Sequence, residues 1–154
     1  MAGDTLHAFL AINRECEDQL WPATESELRA MIHVAYRAAL TNDRQAMLIA
    51  FDERAPYDSP NFRWFQSRYP RFVYVDRVAV TAPARGRGLA RRLYQELMDV
   101  ARADGHCVIC AEVYSDPPNP ISDAFHATMG FVEVGRATLP DRGGKTVRYL
   151  AREL

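Results

Sequence analysis

Apolar and polar residues follow two different spacings along the 154-residue chain, and each spacing predicts its own kind of secondary structure. Short runs of apolar residues, bounded by polar or turn-forming residues, are typical of strands. Such runs predict strands at residues 6–12, 45–51, 72–80 and 107–114. Two further runs near the C-terminus, residues 131–135 and 146–151, are separated by a segment rich in Gly and Pro and predict an antiparallel pair.

Other stretches carry their apolar residues three or four positions apart, as an amphipathic helix does. Thr24 and Glu27 have the spacing of a capping box, so a helix is predicted from Glu25 to Leu40, with residues 41–43 as its stop. Two more helices are predicted over residues 61–69 and 89–104. Strands and helices that alternate in this way predict an α/β fold, a mixed sheet flanked by helices.

The size and composition are those of one ordinary globular domain, residues 1–154, with a sizeable apolar core: 48% of the residues are hydrophobic. The formal net charge is only −1, so there is no overall basic field of the kind that nucleic-acid binding usually needs. The first 13 residues contain Asp4 and have no basic start or long apolar run. We therefore expect neither a signal peptide nor a membrane span, and a cytoplasmic location.

Cys107 and Cys110 form a Cys-x-x-Cys pattern, which in other contexts indicates zinc or redox chemistry. Here it lies in an apolar run predicted to be a strand, where residues three apart face opposite sides of the sheet. No second pair of ligands is evident in the sequence. We expect two small buried side chains and no metal site.

The segment Arg85-Gly86-Arg87-Gly88-Leu89-Ala90 joins the strand at 72–80 to the helix at 89–104. A Gly-rich turn that opens a helix exposes backbone N–H groups at the positive end of the helix dipole, where phosphate groups bind. Four arginines, at positions 85, 87, 91 and 92, crowd the first helical turn, which disfavours cations unless an anion is bound. The alternative is a solvated basic helix start whose glycines serve only the turn.

The spacing of the glycines excludes two common phosphate-binding motifs. The dinucleotide fingerprint needs a small residue where Arg91 stands, and no Lys follows the glycines as a P-loop requires.

Two carboxylates lie within predicted strands, where an unpaired charge is expensive to bury. Desolvation should raise the pKa of Glu112 towards neutrality, which suits a general base. The alternatives are a carboxylate paired with a structural arginine and a carboxylate at the exposed end of the strand. Asp76 is a second candidate base, an anchor for a substrate ammonium group, or part of an internal salt bridge. In a regular strand its neighbour Arg77 faces the other side.

Two motifs resemble those of the GCN5-related N-acetyltransferase (GNAT) superfamily. The first is the acyl-CoA signature, in which Arg85, Gly88 and Ala90 occupy the fixed positions. The second is the helix at residues 119–131, where Asn119, Ala124, Phe125 and Gly130-Phe131 fit the family pattern. The family most often has a Tyr where this chain has His126.

The resemblance implies a mostly antiparallel mixed sheet whose central strands, 72–80 and 107–114, splay apart to hold acetyl-CoA. It implies transfer of an acetyl group to a primary amine by direct attack in a ternary complex, with Glu112 as base, as in members with a similar Glu-Val pair. The implied cofactor contacts are Val78, Ala79, Val80, Arg85, Gly86, Arg87, Gly88, Leu89, Ala90, Arg91, Asn119 and Phe125. Members often form homodimers, but the oligomeric state stays open here.

The change from Tyr to His126 affects the predicted chemistry, because the Tyr of the family protonates the CoA thiolate. An imidazole with an ordinary pKa near 6.5 is partly protonated at neutral pH and can also donate a proton. The proton could instead come from water or Tyr114, and His126 could be a histidine satisfied in the core. A rival hypothesis is therefore a CoA-binding sensor that has lost efficient catalysis.

The acceptor, a small molecule or a peptide amine, cannot be inferred from the family. Aromatic residues scattered over residues 52–70 either cover the sheet or form a wall beside the acceptor.

Overall fold

In a computed structural model, which describes residues 3–116 and 118–154, six strands form one sheet in the order β1-β2-β3-β4-β6-β5. The strands are β1 (Arg37–Leu40), β2 (Ala46–Asp52), β3 (Val73–Val80), β4 (Val108–Tyr114), β5 (Val132–Leu139) and β6 (Lys145–Glu153). The helices are α1 (Gly3–Glu15), α2 (Glu25–Val34), α3 (Pro60–Arg68), α4 (Leu89–Ala103) and α5 (Pro120–Thr128). The predicted mixed, mostly antiparallel sheet is confirmed.

The two central strands diverge along their length. β3 and β4 are parallel, and they pair only at Val73 with Ile109 and at Tyr74 with Cys110. Beyond Tyr74 the edge of β3 that faces β4 carries no strand, while its other edge remains paired with β2 as far as Val80. The result is a V-shaped gap that is closed at Val73 and open towards Val80.

The helices cover both faces of the sheet and bury two apolar clusters. One cluster combines α1, α2 and α3 residues such as Phe9, Leu28 and Phe65 with one face of the strands. The other combines Leu93, Leu97 and further α4 residues with the opposite face. Among the described residues, no helix is both long enough and apolar enough to span a membrane.

The strand predicted at residues 6–12 is wrong, because this segment is part of helix α1. A short apolar run fits a strand and a buried helix about equally well when judged by pattern alone. The buried residues Phe9, Ile12, Asn13 and Cys16 follow the i, i+3, i+4, i+7 spacing of one helix face. Packing onto the sheet therefore decided the structure of this segment.

The second helix begins where it was predicted but ends earlier. Thr24 and Glu27 form the expected capping box: the Glu27 N–H donates to Thr24 Oγ1 and the Thr24 N–H donates to Glu27 Oε2, with N···O distances of 3.1 and 2.9 Å. The helix ends at Val34, however, and β1 pairs with β2 across a tight turn. The Thr41 hydroxyl donates to Asp43 within that turn, so residues 41–43 stop a strand and not a helix.

Two further predictions need correction or refinement. Cys110 is buried, but Cys107 precedes β4 and is exposed, so the prediction that both thiols are buried is wrong. In the aromatic segment, Phe62 and Phe65 are core residues that cover the sheet, whereas Tyr57 reaches the gap between the strands. Most of this segment thus covers the sheet, while Tyr57 lines the cleft, where the acceptor is expected.

Candidate active site

The loop before α4 has the geometry of an anion-binding site. Gly86 and Gly88 adopt φ angles of 82° and 75°, the left-handed region that glycine favours, and Gly88 is the N-cap of α4. Within the described part of the chain, no side chain caps the first turn of the helix, so its N–H groups remain available to a ligand. Open space surrounds the position that a side chain would take at either glycine.

The arginines around this loop are held in place to different degrees. Arg85 Nε donates to the carbonyl oxygen of Val80 at 3.2 Å, and Arg91 donates to the Thr128 hydroxyl at 3.3 Å. Arg92 forms an exposed ion pair with Glu96. The loop thus keeps an excess of positive charge, as a polyphosphate ligand requires.

A cleft of about 350 Å³ occupies the gap between β3 and β4. Val78 lines it from β3, and Asn119 from the start of α5. Its polar lining includes Asp18, Tyr57, Asp76, Arg77, Tyr94, Glu112, Tyr114, Asn119, Ser122, His126, Arg142 and Lys145. The cleft therefore brings together all three predicted catalytic residues.

Glu112 lies in the middle of β4, and its Oε2 atom is buried with no hydrogen-bond partner among the described residues. Burial, reinforced by the neighbouring Asp76 carboxylate, raises the pKa of Glu112 to about 8. A hydrogen bond from the Tyr74 hydroxyl and the positive charge of Arg142 oppose this rise. At neutral pH Glu112 mostly holds its proton, and a modest rise in pH makes it a base.

Asp76 stands at an irregularity of β3. Ile49 of β2 pairs with Arg77 and Ala50 pairs with Val75, so Asp76 is the additional residue of a β-bulge. The bulge lets Asp76 Oδ2 approach Arg77 Nε to 3.3 Å, which corrects the expectation that these neighbours face opposite sides. The Arg77 guanidinium also donates to Asn13 Oδ1 and to the Trp21 carbonyl, both at 2.7 Å.

The two carboxylates of the cleft differ in their partners. Burial raises the pKa of Asp76 as well, against the opposing charge of Arg77 and a hydrogen bond from Tyr57. The Tyr57 hydroxyl donates to Asp76 Oδ1 at 2.6 Å. Both carboxyl groups have a hydroxyl partner, but Asp76 also has the Arg77 cation beside it, whereas no ion pair of Glu112 is seen among the described residues. Asp76 therefore ionises at a lower pH than Glu112.

His126 is buried, and both of its ring nitrogens have partners. Nδ1 lies 2.8 Å from the Ser122 carbonyl oxygen, which can only accept, so Nδ1 carries the proton. Nε2 lies 2.9 Å from the Tyr94 hydroxyl. Burial lowers the pKa of His126, which favours the neutral ring, and Nε2 of the neutral ring accepts from Tyr94. This environment disfavours the partial protonation that an ordinary pKa predicts.

Two further predicted cofactor contacts, Asn119 and Phe125, lie at the start of α5 and within it, and Asn119 lines the cleft. Asn119 is the N-cap of α5, and its side-chain oxygen accepts from the Ser122 N–H at 3.2 Å. Phe125 packs against the Tyr94 ring, with centroids 5.5 Å apart. Asn119 and Phe125 thus have structural contacts of their own, whatever they contribute to binding.

Two residues that line the cleft were not predicted from the sequence. Tyr94 lies on the buried face of α4, next to Leu93, and only this amphipathic spacing could have placed it there. Arg142 donates to the Tyr114 hydroxyl at 2.9 Å and lies over the Trp21 ring at 4.4 Å. Tyr57 belongs to the aromatic segment for which a role beside the acceptor was one of the two predictions.

Comparison with known proteins places this geometry in context. An L-2,4-diaminobutyric acid acetyltransferase from Wolinella succinogenes is 30% identical over 80 residues, which cover 51% of this chain and 46% of that protein. The match therefore spans less than half of the relative's length. Two solved structures share the fold over nearly the whole chain.

One is the ribosomal-protein-alanine N-acetyltransferase from Brucella melitensis, with a TM-score of 0.72 and 20% identity over 100% of this chain and 97% of that one. The other is a chain of the NatC complex bound to Gag peptide and CoA, with a TM-score of 0.72 and 15% identity over 99% and 92% of the two chains.

A family model described as "Acetyltransferase (GNAT) family" matches residues 7–131, which include the glycine loop, the splayed strands and α5. The splayed pair and the uncapped start of α4 are the features that the sequence motifs led us to expect of that superfamily. The chain belongs to the GNAT acetyltransferase family.

Proposed function

We propose that this protein is an acetyl-CoA-dependent N-acetyltransferase in which a primary amine attacks the thioester directly in a ternary complex. Acetyl-CoA supplies the activated acetyl group. The observation that carries the proposal is the position of the Glu112 carboxyl group, which lies in the gap between β3 and β4 with a pKa of about 8. A group with this pKa can exchange protons with an amine near neutral pH.

The loop and β3 provide the cofactor site. The N–H groups at Gly86, Gly88, Leu89 and Ala90 would bind the pyrophosphate, with Arg85, Arg87 and Arg91 adding positive charge. The unpaired edge of β3 at Val78, Ala79 and Val80 offers backbone groups to the pantetheine arm. Both sites are formed by backbone and need little side-chain reorganisation.

Glu112 takes a proton from the acceptor ammonium group, which leaves a nitrogen lone pair free to attack the thioester carbonyl. As the new C–N bond forms, the C–S bond breaks and its electron pair stays on sulfur. The attacking nitrogen then still holds one proton more than the amide product, and this second proton passes to the departing thiolate. Asp76, ionised beside Arg77, favours a cationic amine in the cleft through its charge. Asp76 therefore holds the acceptor and Glu112 removes its proton.

The departing thiolate needs a hydrogen-bond donor, and Tyr94 is well placed to provide one. The Tyr94 hydroxyl oxygen lies 2.9 Å from His126 Nε2, and Tyr94 lines the cleft from α4. In the structure the single Tyr94 proton is donated to Nε2 of the neutral His126, so the hydroxyl must turn from His126 to the sulfur in order to donate to the thiolate. The His126–Tyr94 pair thus presents a phenol hydroxyl where the family's Tyr is absent.

The acceptor side of the cleft favours a positively charged amine, but its residues do not identify one particular amine. It carries the carboxylates Asp18, Asp76 and Glu112 and the cations Arg142 and Lys145. Such a mixture suits an amine that also bears a carboxylate or a peptide backbone. The names of the relatives, a diaminobutyrate and a ribosomal-protein-alanine acetyltransferase, represent these two acceptor classes.

The test combines binding and turnover on the purified protein. Calorimetry should show saturable binding of acetyl-CoA, and a panel of diamines, amino acids and Ala- or Met-starting peptides should release free CoA with at least one acceptor. No saturable binding would overturn the proposal. Binding without release of CoA by any acceptor would favour the sensor hypothesis, which the engaged, neutral His126 supports.

A further inference from the structure

A cluster of three potential metal ligands lies outside the cleft, at the closed end of the splayed strands. Asp52 ends β2, Glu53 follows it, and His106 lies in the turn between α4 and β4. One ligand atom from each residue lies within 4.8 Å of the other two. The glycine loop follows the opposite end of β3, so this cluster is separate from the cofactor site.

The histidine of this cluster is buried and lacks a hydrogen-bond partner. The side chain of His106 is 4% exposed, and its Nδ1 atom has no partner among the described residues. Glu53 Oε2 is likewise buried without a partner and lies 3.9 Å from Nδ1, too far for a hydrogen bond. Two unsatisfied ligand atoms that face each other across this distance leave a position that a cation would fill.

The three donors match one class of metal ion. An imidazole nitrogen and two carboxylates are ligands that Zn²⁺ and similar first-row ions accept, with water in the fourth position of the tetrahedron, whereas Mg²⁺ and Ca²⁺ prefer oxygen alone. Bonds of about 2.0–2.1 Å in a tetrahedral site place ligand atoms roughly 3.3 Å apart, so the cluster needs to contract by about 0.5–1.5 Å. Rotation of the Asp52 and Glu53 side chains can supply this.

The neighbouring groups are compatible with a cation. Arg71 lies 3.4 Å from Glu53 Oε1, leaving Oε2 free, and it also donates to the carbonyls of Asp104 and Gly105 at 3.3 Å. It therefore keeps two partners if Glu53 turns towards a metal. The ring of Tyr36 packs edge-on against His106, with centroids 5.3 Å apart, and fixes the imidazole.

We propose that Asp52, Glu53 and His106 form a structural site for a divalent transition-metal ion of the Zn²⁺ class. Asp52 is the register partner of Val73, and His106 lies two residues before β4. A bound ion would tie the end of β2 to the start of β4, beside the two residue pairs that hold β3 and β4 together. The site would stabilise the apex from which the strands splay.

The experiment uses the full chain with Cys107→Ser, because Cys107 follows His106 directly and its exposed thiol is itself a potential Zn²⁺ ligand. After treatment with a chelator, the protein is titrated with Zn²⁺ alone by calorimetry and thermal unfolding. We expect one saturable site and a rise in Tm of about 5–10 °C at a hundredfold excess over Kd. No saturable binding would overturn the proposal.

Variants locate the site. His106→Gln and Glu53→Gln, each in the Cys107→Ser protein, should weaken Zn²⁺ binding at least tenfold. Asp99→Asn, an exposed carboxylate on α4, should leave it unchanged. If His106→Gln does not fold, the Zn²⁺ affinity of Glu53→Gln becomes the test. Unchanged Zn²⁺ affinity in a folded variant of either residue contradicts the proposal. Acetyl transfer is not a readout, so the result is independent of the proposed enzyme activity.

Discussion

The two sides of the gap between β3 and β4 are built in different ways. The cofactor side comes from one continuous stretch, the end of β3, the glycine loop and the start of α4, and it offers mainly backbone N–H groups. The acceptor side is assembled from side chains of five separate segments, which contribute Asp18, Tyr57, Asp76, Glu112 and Arg142. One side depends on backbone conformation and the other on the chemistry of individual side chains.

This difference predicts how substitutions on each side should affect turnover and cofactor affinity. A side-chain change on the acceptor side removes a chemical group, so it should reduce turnover and leave cofactor affinity alone. A change in backbone freedom on the cofactor side should do the reverse. The following variants test whether kcat and the Kd for CoA change independently of each other.

The largest effect should come from Glu112→Gln. The amide has nearly the shape of the acid but cannot accept the proton, so kcat/KM should fall by about 10²–10⁴-fold. The Kd for CoA should change less than twofold, since Glu112 does not contribute to the glycine loop. Glu153→Gln, an exposed position on β6, is the matched control and should retain full activity. A Glu112→Gln enzyme with normal turnover would contradict the assignment of the base.

The pH dependence should identify the same carboxyl group. Because burial raises the pKa of Glu112 to about 8, the base form is scarce below that pH. In steady-state assays with the acceptor below its KM, we expect kcat/KM to rise about tenfold per pH unit and to level off near pH 8. This rising part of the profile is the acid limb. The residual activity of Glu112→Gln should lack this limb. An identical limb in the variant would assign the titration to another group.

The same contrast explains how much of the protein could be predicted from its sequence. The glycine loop, the capping box at Thr24 and the two motif-bearing elements α4 and α5 depend on neighbours within a few residues, and all four are present as predicted. The splayed strands followed from resemblance to a family. Elements that depend on distant partners were harder, and α1 and β1 were both misassigned for this reason.

The site followed the same rule. The raised pKa of Glu112 could be predicted because an isolated carboxyl in an apolar strand has few alternatives. The bulge at Asp76 could not, since it exists only through the register between β2 and β3. The partners of His126 are a helical carbonyl and a Tyr from another helix, and the second of these is a purely tertiary contact.

On the cofactor side, Gly88→Ala should weaken binding of CoA. At φ 75° an alanine is strained by roughly 1–2 kcal/mol, so the loop shifts away from its anion-binding conformation and Kd rises about tenfold. Gly143→Ala introduces similar strain at φ 68° in the turn before β6, also with open space around it. Calorimetry should show a change only at Gly88. Equal changes in both variants would mean that strain alone, and not the loop, governs affinity.

The smallest effect concerns the two groups that meet across the gap, Tyr94 and His126. Tyr94→Phe removes the hydroxyl proposed to stabilise the thiolate, a hydrogen bond of about 1 kcal/mol, so kcat should fall about fivefold with the Kd for CoA unchanged. Tyr36→Phe is the control, because its hydroxyl also bonds a side chain, that of Asp104, but far from the cleft.

The decisive comparison is the exchange of the two positions. Tyr94→Phe with His126→Tyr restores a phenol at the position where the family carries one, so kcat should recover towards the wild-type value. A merely structural hydrogen bond between Tyr94 and His126 would give no such recovery, because the double variant lacks both original partners. Recovery of kcat with unchanged thermal stability would therefore show that the cleft needs a phenol hydroxyl and that either helix can supply it.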